Sequence, residues 1–142
     1  MMNEQGYYLE DLKVGMTASY AKTVTEADVV LFAGVSGDMN PVHINDEFAK
    51  ETMFQGRIAH GMLSASFIST VLGTKLPGPG CIYLSQNLKF RAPVRSGDTV
   101  SATATITDIV PDKKRVVMQT ICLVRNQIVI EGEAVVMVPA RS

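Results

Sequence analysis

The chain has 142 residues, 46% of them hydrophobic, no tryptophan, and a formal net charge of -1. That length gives one domain, residues 1–142, with ample chain for a real core. So small a charge removes the electrostatic case for nucleic acid or an anionic membrane surface as a partner.

Met1 to Gly6 lacks the basic-then-apolar profile of a secretory signal. Residues 7–23 read as a lead-in followed by a strand, with Gly15 at a turn. Thr25-Glu26-Ala27-Asp28 is a helix start, a capping threonine with acids in the first turn. Val29, Val30, Phe32, Ala33 and Val35 supply that helix with an apolar face, and Gly34 and Gly37 end it.

Ser36-Gly37-Asp38-Met39-Asn40-Pro41-Val42-His43 follows, and it is the densest chemistry in the chain. Asp38 and His43 stand five apart, so no helix face carries both. Pro41 biases Asn40 towards an extended conformation. A kinked loop is the reading, one that aims a carboxylate and an imidazole at a single point as a general acid and base pair requires. Asn45 or Asp46 then caps a short helix, Glu47 to Met53, with Phe48 and Ala49 turned inward.

Gly61 to about Lys75 is the most buried helix on offer. Met62, Leu63, Ala65, Phe67, Ile68, Val71 and Leu72 go most of the way round it, so something must wrap it. Leu76-Pro77-Gly78-Pro79-Gly80 stops it. Strand patterns occupy the rest: Cys81 to Phe90, Thr99 to Ile109, Arg115 to Val124 and Ile128 to Val138, joined by short turns. The fold class is α+β, an antiparallel sheet curled around one long helix. The stretch Ile58 to Leu88 has low charge but too much Gly, Pro and Ser for a membrane span.

The first amides of a helix lack internal partners and carry a partial positive charge. Gly61, with no side chain, lets a carbonyl oxygen approach its N–H, which makes an oxyanion site by position. His60, directly before it, reads as a residue that caps or packs. Ser64, Ser66 and Ser69 read as hydroxyls bonded back to the preceding turn. Asp38, His43 and His60 have no familiar metal-ligand spacing, so no metal is expected. Lys89, Arg91 and Arg95 offer a weak cationic surface for an anionic carrier. Cys81 and Cys122 also lack metal spacing and read as reduced and buried, which suits a cytoplasmic protein.

The segment from Ser36 to His43, with Ala49 six residues beyond the histidine, resembles the signature of the MaoC-like (R)-specific enoyl-CoA hydratase family. Ile58-Ala59-His60-Gly61-Met62 resembles that family's oxyanion segment, and Phe90 to Asp98 its strand and turn after the helix. The resemblance spans nearly the whole chain. It implies a hot-dog fold and a homodimer whose sheets join edge to edge. It implies Asp38 and His43 as the catalytic pair, the Gly61 amide as oxyanion donor and Asn40 as an orienting residue. Ser69 falls near the active-site aspartate, and Leu72 would line an acyl tunnel. The implied reaction is reversible syn-hydration of trans-2-enoyl thioesters on coenzyme A or acyl carrier protein, with no other cofactor. A hot-dog thioesterase, a 3-hydroxyacyl carrier-protein dehydratase and a non-enzymatic acyl-CoA-binding subunit are the alternatives.

Overall fold

The structure, a computed structural model, describes residues 5–141; Met1–Glu4, which hold most of the segment read as no secretory signal, lie outside them, as does Ser142. In chain order the elements are β1 (Thr17–Thr23), α1 (Glu26–Ser36), α2 (Pro41–Ile44), α3 (Asp46–Ala49), α4 (Gly61–Thr74), β2 (Ile82–Gln86), β3 (Lys89–Phe90), β4 (Thr99–Val110), β5 (Arg115–Val124) and β6 (Gln127–Met137). The strands form one antiparallel sheet in the order β1-β4-β5-β6-β2, with β3 also paired to β6.

The sheet wraps α4, the hot-dog arrangement. Alternation does the work: Val100, Ala102, Ala104 and Ile106 of β4 and Val116, Met118 and Cys122 of β5 are all buried. They face Leu63, Phe67, Ile68, Val71 and Leu72 of α4 in one core. The two alanines on β4 leave room for the helix to approach the sheet closely, as close packing demands. Lys75 caps α4 and donates from Nζ to the carbonyl of Ser19, 2.6 Å away on β1.

Several expectations need correction. On α1 only Val29 and Ala33 are buried, whereas Val30 and Val35 are exposed, and the helix runs through Gly34 to end at Gly37. The helix expected from Glu47 to Met53 is a single turn, Asp46–Ala49, followed by turns; Ala49 is buried but Phe48 is exposed. Met62 on α4 is likewise exposed. The strand expected from Cys81 to Phe90 is broken at Asn87 and Leu88. There the Asn87 carbonyl lies over Gly132 of β6, where a Cβ would come within 1.9 Å of it. Asn87 is held there by reciprocal bonds with the backbone of Glu133. Glycine at 132 thus admits the kink that re-aims β3 towards the helix N-terminus.

Both cysteines are free, and Cys122 is buried. Burial pushes the Cys122 thiol up to about 12 and raises that of Cys81 as well. Thiolate is the reactive form. A thiol reagent at mildly alkaline pH is therefore expected to label the native protein slowly and to find two thiols per chain on unfolding without reductant. Fewer than two would mean a disulfide.

Candidate active site

Gly37 closes α1, and the next residues are set by their own side chains. Ser36 Oγ accepts from the Asp38 amide at 3.1 Å, and Asp38 Oδ1 accepts from the Asn40 amide at 3.2 Å. Asn40 Oδ1 accepts from the Val42 amide and so caps the one-turn helix α2, with Pro41 at its first position. The expected loop is therefore a loop only to Asn40. Beyond it the preset φ of proline and the asparagine cap favour a helical turn, and that turn carries His43. Asn40 holds the helix bearing His43; it is not among the residues lining the cavity described next.

His43 is 8% exposed. Its Nδ1 lies 2.8 Å from the Ile58 carbonyl. A carbonyl only accepts, so Nδ1 carries the proton and Nε2 is left for chemistry. His60, 1% exposed, stacks on it with ring centroids 3.9 Å apart and planes 27° apart. Its Nε2 lies 3.0 Å from the Asp38 main-chain carbonyl. Ligand-capable atoms of Asp38, His43 and His60 all fall within 4.8 Å of one another.

These side chains and Gly61 open onto one cavity of about 480 Å³, whose other walls include Phe54, Ile58, Phe90, Ala92, Val94 and Ile130. Asp38 itself is exposed in the single chain, not desolvated. Phe90 comes from β3, and its ring packs over Gly61: a Cβ there would meet Phe90 Cε1 at 2.6 Å and Cδ1 at 2.7 Å. Glycine is thus needed at 61 for a second reason beside access to its amide. Phe54 and Ile58 belong to a segment fastened from outside. Arg95 donates to the carbonyls of Phe54 and Arg57, and Arg57 makes a two-bond pair with Glu26 and a third bond to Asp46. The Glu26 carboxylate holds the Arg57 guanidinium above its ordinary pKa. Arg91 is paired with Glu131. Arg95 and Arg91 both bond within the chain, and Arg91, half exposed, also lines the cavity.

Two sequence-derived residues lie elsewhere on α4. Ser69 lines a second cavity of about 510 Å³ with Ser66 and Tyr83, beyond Met62, which borders both. Leu72 lines neither and is buried in the core at 1% exposed. Ser64 departs from the back-bonding expectation. Ser66 does bond the Leu63 carbonyl, but Ser64 Oγ is buried without a partner and Ser64 lines the first cavity. No local signal announces Ser64 or Phe90, because their roles come from contacts across the fold.

The Asp38, His43 and His60 cluster fits a metal poorly. Imidazole binds an ion in its ring plane at about 2.0–2.1 Å for zinc. With the two rings stacked nearly parallel, one ion cannot lie in both planes at that distance.

A family model described as MaoC like domain matches residues 11–132. The chain belongs to the MaoC-like domain family. Among MaoC-like relatives, it is 62% identical over 135 residues to the (R)-specific enoyl-CoA hydratase of Rhodospirillum rubrum, covering 95% of this chain and 94% of that one. It is 47% identical to the 3-hydroxybutyryl-CoA dehydratase of Methylorubrum extorquens, over 94% of this chain and 85% of that one. An R-hydratase of Pseudomonas aeruginosa, solved in the unliganded form, superposes with a TM-score of 0.89 at 43% identity, covering 96% of this chain and 88% of that one.

Proposed function

We propose that this MaoC-like chain is an (R)-specific enoyl-CoA hydratase, adding water reversibly and syn across a trans-2-enoyl thioester to give the (R)-3-hydroxyacyl thioester. The observation that carries the reading is that Asp38, His43 and the Gly61 end of α4 share one largely apolar cavity. The names of the two relatives, one a hydratase and one a dehydratase, describe the two directions of such a reaction.

The Gly61 N–H holds the thioester oxygen while enolate charge develops, the kind of stabilisation whose loss costs about 3–4 kcal/mol. Asp38 accepts a proton from water as the oxygen–C3 bond forms. The reacting form of His43 carries a proton on each nitrogen and delivers the one on Nε2 to Cα as the C2–C3 double bond becomes a single bond. The pair is neutral overall before and after, and Nδ1 stays on the Ile58 carbonyl throughout. Nε2 is thus the only nitrogen of His43 that has to exchange a proton.

The acyl group arrives on coenzyme A or acyl carrier protein, and no other cofactor is required. A homodimer completes the assembly: β2 is an edge strand, and Ile82, Tyr83 and Leu84 on it are exposed, as are Met39, Met62 and Phe90 nearer the site. A second copy covering that edge also shields Asp38 from solvent. Among the described residues no helix is long and apolar enough to cross a membrane. The free thiols suit the cytoplasm.

The test is direct. Purified protein mixed with crotonyl-CoA is expected to remove the conjugated enoyl absorbance and yield the (R)-alcohol. Release of free coenzyme A instead, seen with a thiol reagent, identifies a thioesterase. Tight binding without turnover identifies a binding subunit.

A further inference from the structure

We propose that His60 is a positioning residue for this hydration, acting through its Nε2–H on the Asp38 main-chain carbonyl, an assignment that rests on the hydratase reading above. Neither ordinary explanation of a histidine before a helix suffices. His60 occupies the N-cap position of α4, yet its side chain makes no cap hydrogen bond. Nor is it simply an apolar filler, because a buried imidazole without partners is costly.

Its bonding is one-sided. Nε2 meets the Asp38 carbonyl at 3.0 Å, and Nδ1 is buried with no partner. Among the described residues, then, the one hydrogen bond of this ring goes to the backbone of the residue proposed as base. One face of the ring covers His43 at 3.9 Å, and Phe32 of α1 packs against it at 4.8 Å. The residue that follows it in the chain is Gly61. A single buried ring therefore ties the Asp38 loop, the His43 turn and the oxyanion end of α4 into one body.

The two stacked rings also use opposite nitrogens. His43 donates from Nδ1 to Ile58 and His60 donates from Nε2 to Asp38, since carbonyls only accept. The arrangement fixes ring orientation for each by a different backbone carbonyl. Cutting the His60 bond leaves the Asp38 carbonyl and its loop to find another place. A displacement of about 1 Å in a catalytic group can cost ~10²-fold in rate.

Reach separates positioning from packing. A glutamine amide N–H sits about where imidazole Nε2 does, whereas an asparagine amide falls short. His60→Asn is expected to lower kcat for crotonyl-CoA by roughly 10²-fold with little change in KM, and His60→Gln to recover most of that loss. Nitrogen spectra of the wild type, which has two histidines, taken at a pH where both rings are neutral, should show one ring protonated at Nδ1 alone and the other at Nε2 alone. Equal kcat in the folded Asn and Gln variants overturns the proposal, as does a loss confined to KM, or a spectrum with both rings protonated at the same nitrogen. If the wild type leaves crotonyl-CoA untouched, the hydratase reading fails on its own. The spectra then decide the link alone: movement of the His43 signals in the Asn variant but not the Gln variant supports it, and equal movement in both defeats it.

Discussion

Asp38→Asn lowers kcat/KM for crotonyl-CoA hydration by roughly 10²–10⁴-fold, the worth of one positioned acid or base. Thermal stability stays close to that of the wild type. The substitution keeps the side-chain shape, and its amide oxygen can still accept from the Asn40 amide as Oδ1 does. Only the capacity to take a proton from water goes. His43→Asn is the matching change on the other side. An asparagine amide reaches about as far as imidazole Nδ1, so the bond to the Ile58 carbonyl can persist while Nε2, the proton-exchanging atom, is removed. Because the two groups act in one step, the double variant is expected to lose little more than either single one. Steady-state rates with all three proteins check this. Full activity in Asp38→Asn, with the fold intact, removes the carboxylate from the mechanism.

What the sequence conveyed well were features set by local chemistry. The capping threonine at 25 forms as read, its Oγ1 accepting from the Asp28 amide at 3.1 Å, and Asp28 Oδ2 accepts in return from the Thr25 amide at 2.9 Å. The apolar girth of α4 foretold a wrapped helix, and the alternation from Val100 to Ile106 foretold a strand with one buried face. Asp38 and His43 face one cavity because Gly37, Asn40 and Pro41 bend the chain between them, and those residue types carry their geometry with them. Periodicity says which residues share a face, not what covers it. Val30, Val35 and Met62 are apolar, yet a single chain leaves them exposed. The break after Gln86 depends on Gly132, its partner across the sheet, and no window along the chain contains both. Ser69 and Leu72 sit on the right helix, but at angles that send one to a second cavity and the other into the core.

Gly61→Ala is the other change with a large expected effect, and its cause lies 29 positions away in the sequence at Phe90. Alanine at a first helical position is acceptable to the backbone, since glycine there has no propensity advantage. The amide N–H also survives. The added methyl, however, would sit 2.6 Å from Phe90 Cε1, so the ring must move. Phe90 is 54% exposed, which lets it swing without a heavy stability cost, and it lines the same cavity as Asp38 and His43. The displaced ring then occupies space that the thioester needs beside the Gly61 amide. Hydration of crotonyl-CoA is expected to fall at least as far as loss of one oxyanion donor, about 10²–10³-fold, while the protein remains folded. Phe90→Ala in the same chain removes the obstruction, so the double variant recovers a substantial share of the lost rate. A Gly61→Ala protein whose defect is unchanged by Phe90→Ala would place the harm in the amide itself, and the packing of Phe90 over Gly61 would then have no part in the effect.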